Sequence, residues 1–294
     1  IFYELSKEKG KIAGYNIMIG DTEDLYTLNN EQKYGKTLYV PLYFWFCRKH
    51  GLAMPIIAMQ HCTIEILVKF KNLDDICAKD TYISYVKTPK LKAKIISSYI
   101  YLDESERKLF AESVHEYLIE QVQYNGGLIV NDINASSRLM FSNPCKDIIW
   151  VLQKRSFIEQ TGTTHKQYHN YTDTLMTDYT DDTTLGTNPI VTAVLKFNGQ
   201  TRFEKRDGKY FNYVQPYQHY NSSPIEGINV YSFALYPLEF QPSGTYNLSS
   251  IGDSELVLET SNIYTNDIAE LRIYARSYNV LRVMSGLAGL AYFS

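Results

Sequence analysis

His165 and His169 stand four residues apart, a spacing that on a helix would turn both imidazoles toward one metal ion. Their setting, Thr-Thr-His-Lys-Gln-Tyr-His-Asn, has no apolar helical stripe and no glutamate placed as a zinc hydrolase needs it, so it reads as a solvated loop. Asp178, Asp181 and Asp182 could attract calcium, yet the alternating ligands and central glycine of a calcium-binding loop are missing. No Gly-x-Ser-x-Gly turn occurs. Cys47, Cys62, Cys77 and Cys145 lie in no protease context, no Cys-x-x-Cys pair and no metal-finger spacing, and read as reduced, mostly buried small hydrophobes. The late run Ser285-Gly286-Leu287-Ala288-Gly289 matches no phosphate-binding pattern. Tyr210, Phe211, Tyr213, Tyr217, His219 and Tyr220 could stack a sugar or a base. Tyrosine-rich runs more often pack the corner of a β domain or a subunit contact, and that is the reading adopted. The expectation is a chain with no catalytic, cofactor or metal site.

What, then, do the remaining residues build? A chain of 294 residues holds one large or two medium domains and buries about three quarters of its unfolded surface. Its net charge of −3 excludes a surface made to neutralise phosphates, so direct contact with nucleic acid is not expected. Its 26 tyrosines and 13 phenylalanines, against 2 tryptophans, favour half-buried pleated surfaces. The longest apolar stretches, Leu38 to Cys47 and Val280 to Phe293, are too short or too interrupted to cross a bilayer as helices, and no secretory signal is visible. Membrane insertion is therefore not expected, nor is glycosylation at the Asn-x-Ser/Thr triplets beginning at Asn134, Asn170, Asn221 and Asn247.

Residues 1–36, broken by Gly10, Gly14, Gly20 and Gly35, predict an extended loop. Strands follow at Thr37 to Phe46, apolar on both faces, at Gln60 to Phe70, with one apolar face, and at Ala93 to Leu102. Asp103, with Glu106 three residues on, opens a helix whose stripe would be Phe110, Val114, Tyr117 and Leu118, although His115 to Tyr124 could equally open a strand. Further strands are expected at Arg138 to Ser142, Asp147 to Gln153, Val191 to Phe197, Ile228 to Leu235, Glu255 to Thr260, Leu271 to Arg276 and Tyr278 to Met284. Asn198-Gly199 predicts a two-residue hairpin. Residues 155–188, rich in Thr, Asp and Tyr, predict a surface insertion that buries little and tolerates substitution.

Certain words in this sequence resemble a family. Gly35-Lys36-Thr37-Leu38-Tyr39-Val40-Pro41-Leu42-Tyr43-Phe44-Trp45-Phe46-Cys47, followed by Gly51-Leu52-Ala53-Met54-Pro55, is similar to the first domain of major capsid proteins of nucleocytoplasmic large DNA viruses. His115 to Gln121, Arg206 to Asn212, Gln215 to His219, Gly227 to Leu235, Gln241 to Thr245 and Tyr278 to Gly286 continue the likeness in the family's order. The resemblance implies an all-β double jelly roll, two tandem eight-stranded antiparallel sandwiches, with the first roll incomplete in this chain. It places the end of the first roll in residues 1–103, a helical connector at 104–114 and the second roll at 115–294. It further implies a structural, non-enzymatic subunit: a homotrimer of pseudo-hexagonal outline that tiles an icosahedral shell beside neighbouring capsomers and minor capsid or cement proteins, in virions assembled in the host cytoplasm.

Two other classes share the architecture. A carbohydrate- or receptor-binding jelly roll would use the aromatic cluster as its site, and a cupin-like metalloenzyme would need several histidines and a glutamate converging from neighbouring strands. His165 and His169 lie in the loop and His50 precedes a turn, which counts against the second. Only three strands are expected before Asp103, where a roll needs eight. The missing ones are expected from an upstream part of the same protein or from a separate polypeptide.

Overall fold

The structure, a computed structural model, describes residues 1–26, 33–76, 90–159, 166–175, 186–261 and 268–292. Within the loop expected over residues 1–36, the described residues 1–26 form three α-helices: α1 (Phe2–Ser6), α2 (Ile12–Ile19) and α3 (Glu23–Tyr26). Gly20 explains the difference. At φ +86° it takes the left-handed conformation that ends α2, its N–H directed to the carbonyls of Asn16 and Ile17, so this glycine stops a helix.

None of the strands expected at Thr37 to Phe46, Gln60 to Phe70 and Ala93 to Leu102 is a strand among the described residues. The apolar alternation of the first two is present, but a strand exists through its ladder, and no described segment pairs with any of the three. The chain there has no regular secondary structure apart from 3₁₀ turns at Trp45–Cys47, His50–Leu52 and Ile56–Ala58, with α4 (Leu73–Ile76) beyond. Leu67, Ile96 and Tyr101 consequently stand 96%, 82% and 91% exposed.

At Asp103 the chain changes character. Its carboxylate accepts the Glu106 N–H at 2.8 Å and opens α5 (Glu104–Glu112), as the sequence predicts. The expected helical stripe stops at Phe110, because the chain leaves the helix at Ser113 and enters β1 (His115–Val130). Tyr117 and Leu118 are thereby claimed by a ladder, opposite Leu281 and Val280. The remaining strands are β2 (Asn134–Arg138), β3 (Pro144–Lys154), β4 (Ile190–Phe197), β5 (Gln200–Thr201), β6 (Arg206–Asp207), β7 (Ile228–Ser232), β8 (Tyr246–Asn247), β9 (Ser254–Thr260), β10 (Ala269–Met284) and β11 (Leu287–Leu290). They form two antiparallel sheets. The first runs β1-β10-β3-β7 with β11 on β10 and β8 on β3; the second runs β2-β9-β4-β5 with β6 on β4.

The two strands expected at Leu271 to Arg276 and Tyr278 to Met284 are one continuous strand, and the strand expected at Arg138 to Ser142 lies earlier, at Asn134–Arg138. Asn198 and Gly199, both at positive φ, make the predicted two-residue turn between β4 and β5. Between the sheets pack Ile148, Trp150 and Leu152 of β3, Leu271 and Ile273 of β10, Leu195 of β4 and Leu256 and Leu258 of β9. The opposite face of β3 is covered as well. There Ile149 and Val151 meet Leu5 of α1, Tyr171, Tyr220, Ile228 and Val230.

Tyr171 corrects another expectation. Within residues 155–188, Phe157, Gln167, Asn170, Tyr171 and Thr172 are all buried, so the described part of this insertion caps the sheet and does not stand free of it. Low aliphatic content concealed this, because amide and hydroxyl groups do the packing: Asn170 bonds Gln167, Thr172 and Thr174.

Leu271 is fully buried between the sheets, whereas Val122 on β1 is largely exposed. Leu271→Ala is expected to destabilise the fold by about 2–5 kcal/mol, and Val122→Ala by no more than about 1 kcal/mol. Denaturant midpoints of the two variants check this.

Candidate assembly surface and the charges behind it

The aromatic cluster does not form one platform. Residues 210–214 make a π-helical turn that runs into α6 (Gln215–His219), and this distributes the rings. Phe211 turns into the inter-sheet core 5.1 Å from Trp150, while Tyr220 enters the core on the other face of the first sheet. Tyr213 and Tyr217 remain outside, and with Val214, Leu235 and Tyr236 they contribute exposed apolar surface around α6. His219 is tied to the Leu235 carbonyl at 3.0 Å.

The other candidates stay apart. His165, Asp178, Asp181, Asp182 and Cys77 lie outside the described residues. His169 is exposed, and His50 sits in a 3₁₀ turn. Cys145 is buried and Cys62 partly so, but Cys47 is exposed, contrary to expectation. Among the described residues no three His, Cys, Asp or Glu side chains come together as metal ligands. A cleft of about 310 Å³ opens between Gly127, Ile129, Gln153 and Glu270. Its charged groups are paired, Arg155 with Glu159 and Glu270 with Arg272.

Sequence reasoning missed a group of buried charges. Cys145 and Ile148 both face the inter-sheet core, although two residues separate them where regular alternation allows one. The register against β10 shifts at this point, and the bulge leaves both Lys146 and Asp147 to the opposite face. Asp147 receives Arg276 Nε at 2.9 Å, a second bond from Arg276 Nη2, and the Tyr220 hydroxyl at 2.6 Å. Burial works against the Arg276 charge, but the Asp147 carboxylate outweighs it and holds the guanidinium pKa above its ordinary value. Burial, reinforced by Asp147, pushes the Tyr220 phenol well up. Lys146, wholly buried, bonds Glu120 Oε1 at 2.5 Å and lies 5.4 Å above the Tyr278 ring. Burial, with Arg276 nearby, lowers its pKa to about 8 despite Glu120 and Asp147. The signal was present in the sequence as charged residues inside otherwise apolar strands.

With this geometry in place, comparison with known proteins is decisive. The model of the family described as "Large eukaryotic DNA virus major capsid protein" matches residues 106–289, and that of "Major capsid protein N-terminus" matches residues 1–103. The chain belongs to the major capsid protein family of large eukaryotic DNA viruses. The major capsid protein of Pyramimonas orientalis virus is 38% identical over 99% of this chain and 70% of its own length. That of Phaeocystis pouchetii virus is 36% identical over 87% of this chain. The match spans only 65% of the Phaeocystis pouchetii virus protein, so the chain accounts for about two thirds of that relative. A solved structure described as "PBCV-1 virus capsid, quasi-atomic model" superposes with a TM-score of 0.69 at 29% identity, covering 99% of this chain and 78% of that one. The fold class is therefore the all-β double jelly roll, and the described residues from β1 onward form two antiparallel sheets.

Two outcomes follow from the charges of this capsid-family fold. Removing one partner of a buried pair strands the other, so Arg276→Met is expected to cost about 3–5 kcal/mol. Arg282→Met, which breaks a half-exposed pair with Glu116, is expected to cost about 0–1 kcal/mol; thermal melts compare them. The depressed Lys146 pKa also has a sign. From about 8 to 10.5 the unfolded chain holds a proton that the folded chain has released, so folding stability from this group rises with pH there. Below about 8 both states are charged and the burial penalty is fully felt. Wild type should thus gain on Lys146→Met between pH 8 and pH 10.5, read from denaturant midpoints across that range.

Proposed function

We propose that this chain is the shell-building subunit of a large DNA virus, structural and not catalytic, acting as a homotrimeric capsomer of pseudo-hexagonal outline in an icosahedral capsid. The observation that carries this reading is the succession of the two family models, residues 1–103 and then 106–289, along one chain. Residues 1–103 form the end of the first roll, 104–114 the connector and 115–294 the second roll. Two similar lobes per subunit give six per trimer, and six lobes tile a hexagonal net. The exposed Tyr213, Tyr217, Leu235 and Tyr236 supply apolar surface for contacts with a neighbouring copy or with minor capsid proteins.

The exposed apolar residues of 37–46, 60–70 and 93–102 have no ladder among the described residues, and we read them as strands awaiting partners. They take their partner strands from protein outside these 294 residues, either an upstream part of the same protein or a separate polypeptide. Sedimentation and negative-stain imaging test both statements. Residues 1–294 alone are expected to aggregate, and the protein supplied with the completing strands is expected to form stable trimers of hexagonal outline. A soluble, cooperatively melting trimer of residues 1–294 alone overturns the strand completion, and a completed protein that stays monomeric at micromolar concentration overturns the capsomer.

A further inference from the structure

Residues 45–62 precede the connector helix, yet they are fastened to the second roll. Trp45 packs 5.9 Å from Tyr117 of β1. Ala58 and Met59 bury themselves with Val283 of β10, and the His61 N–H donates to the Gly286 carbonyl at 2.9 Å. Gly286 sits at φ +81°, and a Cβ there would lie 2.5 Å from the His61 ring, so the approach requires glycine. At the polar end of this seam Arg48 grips Glu120 of β1 with two parallel bonds, Nη1 to Oε1 at 2.9 Å and Nη2 to Oε2 at 2.6 Å. The same carboxylate takes Lys146 from β3. The connector α5 contributes no buried side chain, so it does not by itself hold the two parts at one angle.

We propose that Arg48, Glu120 and Lys146 form a positioning lock that fixes the direction in which the first lobe leaves the second. Three properties support it. A planar guanidinium on both oxygens of a carboxylate fixes orientation as well as distance, which a lysine at the same place would not do. Lys146 is wholly buried and the Glu120 side chain is only 9% exposed, so the carboxylate is held from behind and has no second position to adopt. Lys146 is itself placed by the bulge that its neighbour Asp147 secures through Arg276. The lock therefore refers the first lobe to the central strands of the second roll.

The shared carboxylate makes a prediction that a simple ion pair does not. Exchanging the pair as Arg48→Glu with Glu120→Arg restores an isolated salt bridge, but here it places an arginine against buried Lys146. The exchange is expected to fail, and adding Lys146→Met is expected to restore the lock. The readout is the distance distribution between spin labels at exposed Leu67 and Met140 within one full-length subunit. Labelled protein is diluted into an excess of unlabelled protein so that only the pair within one chain is read, and the result then stands whether or not the subunit trimerises. Wild type is expected to give one narrow peak, and Arg48→Lys, which keeps the charge and loses the fork, a broadened one at an almost unchanged melting temperature. The exchanged pair broadens further, and the triple variant narrows again. A narrow wild-type peak that persists in Arg48→Lys overturns the proposal, as does full recovery by the exchanged pair without Lys146→Met. Should the exchanged pair fail to melt cooperatively, Arg48→Lys, altered at a partly exposed side chain, decides alone.

Discussion

A strand covered on both faces cannot leave a charge unpaired, and β3 is such a strand. Its residues from Cys145 onward are buried, between the second sheet on one side and α1 with the 166–172 segment on the other. Lys146 and Asp147 sit in it nonetheless. They are tolerable only because β10 and β1 deliver Arg276 and Glu120 to them, and the ladder register that does so is the register that closes the inter-sheet core. A slip of one residue would send Ile148, Trp150 and Leu152 to the wrong face and separate both charge pairs at once. Hydrophobic packing stabilises the sandwich, and the buried charges select among its registers.

The strands after Asp103 were legible because period-two alternation, a two-residue Asn-Gly turn and a capping aspartate are local signals that tertiary packing here reinforces. Phe197, Asn198 and Gly199 behave as their types dictate. The first 103 residues were legible as a pattern but not as a conformation. Leu38, Val40 and Leu42 alternate with Tyr39, Pro41 and Tyr43 as a strand requires, yet hydrogen-bonded pairing is a property of two segments and a sequence pattern describes one. The helices α1 to α3 escaped notice because glycines were read as loop markers where Gly20 acts as a stop.

The candidate surface divided in the same way. Aromatic spacing over 210–220 marked a place of importance, but which rings turn inward depends on the π-helical turn, which shifts the side-chain sequence off any simple period. The ion pairs could not be read from spacing, since Asp147 and Arg276 lie 129 residues apart and Arg48 and Glu120 lie 72 apart. What the sequence does show is charge where strand burial forbids it, and that mismatch is the clue to a partner.

β10 is 16 residues long, roughly 50 Å, and pairs with β1 from Ala269 to Val283 across one bulge at Tyr124 to Gly127, while its other edge pairs with β3 as far as Ser277 and with β11 from Leu281. One end meets the 58–62 segment through Val283, and the other meets the paired charges around Glu270. One continuous strand therefore links the 58–62 segment at Val283 to the paired charges beside Ala269, so a change at either end is registered by the same ladder.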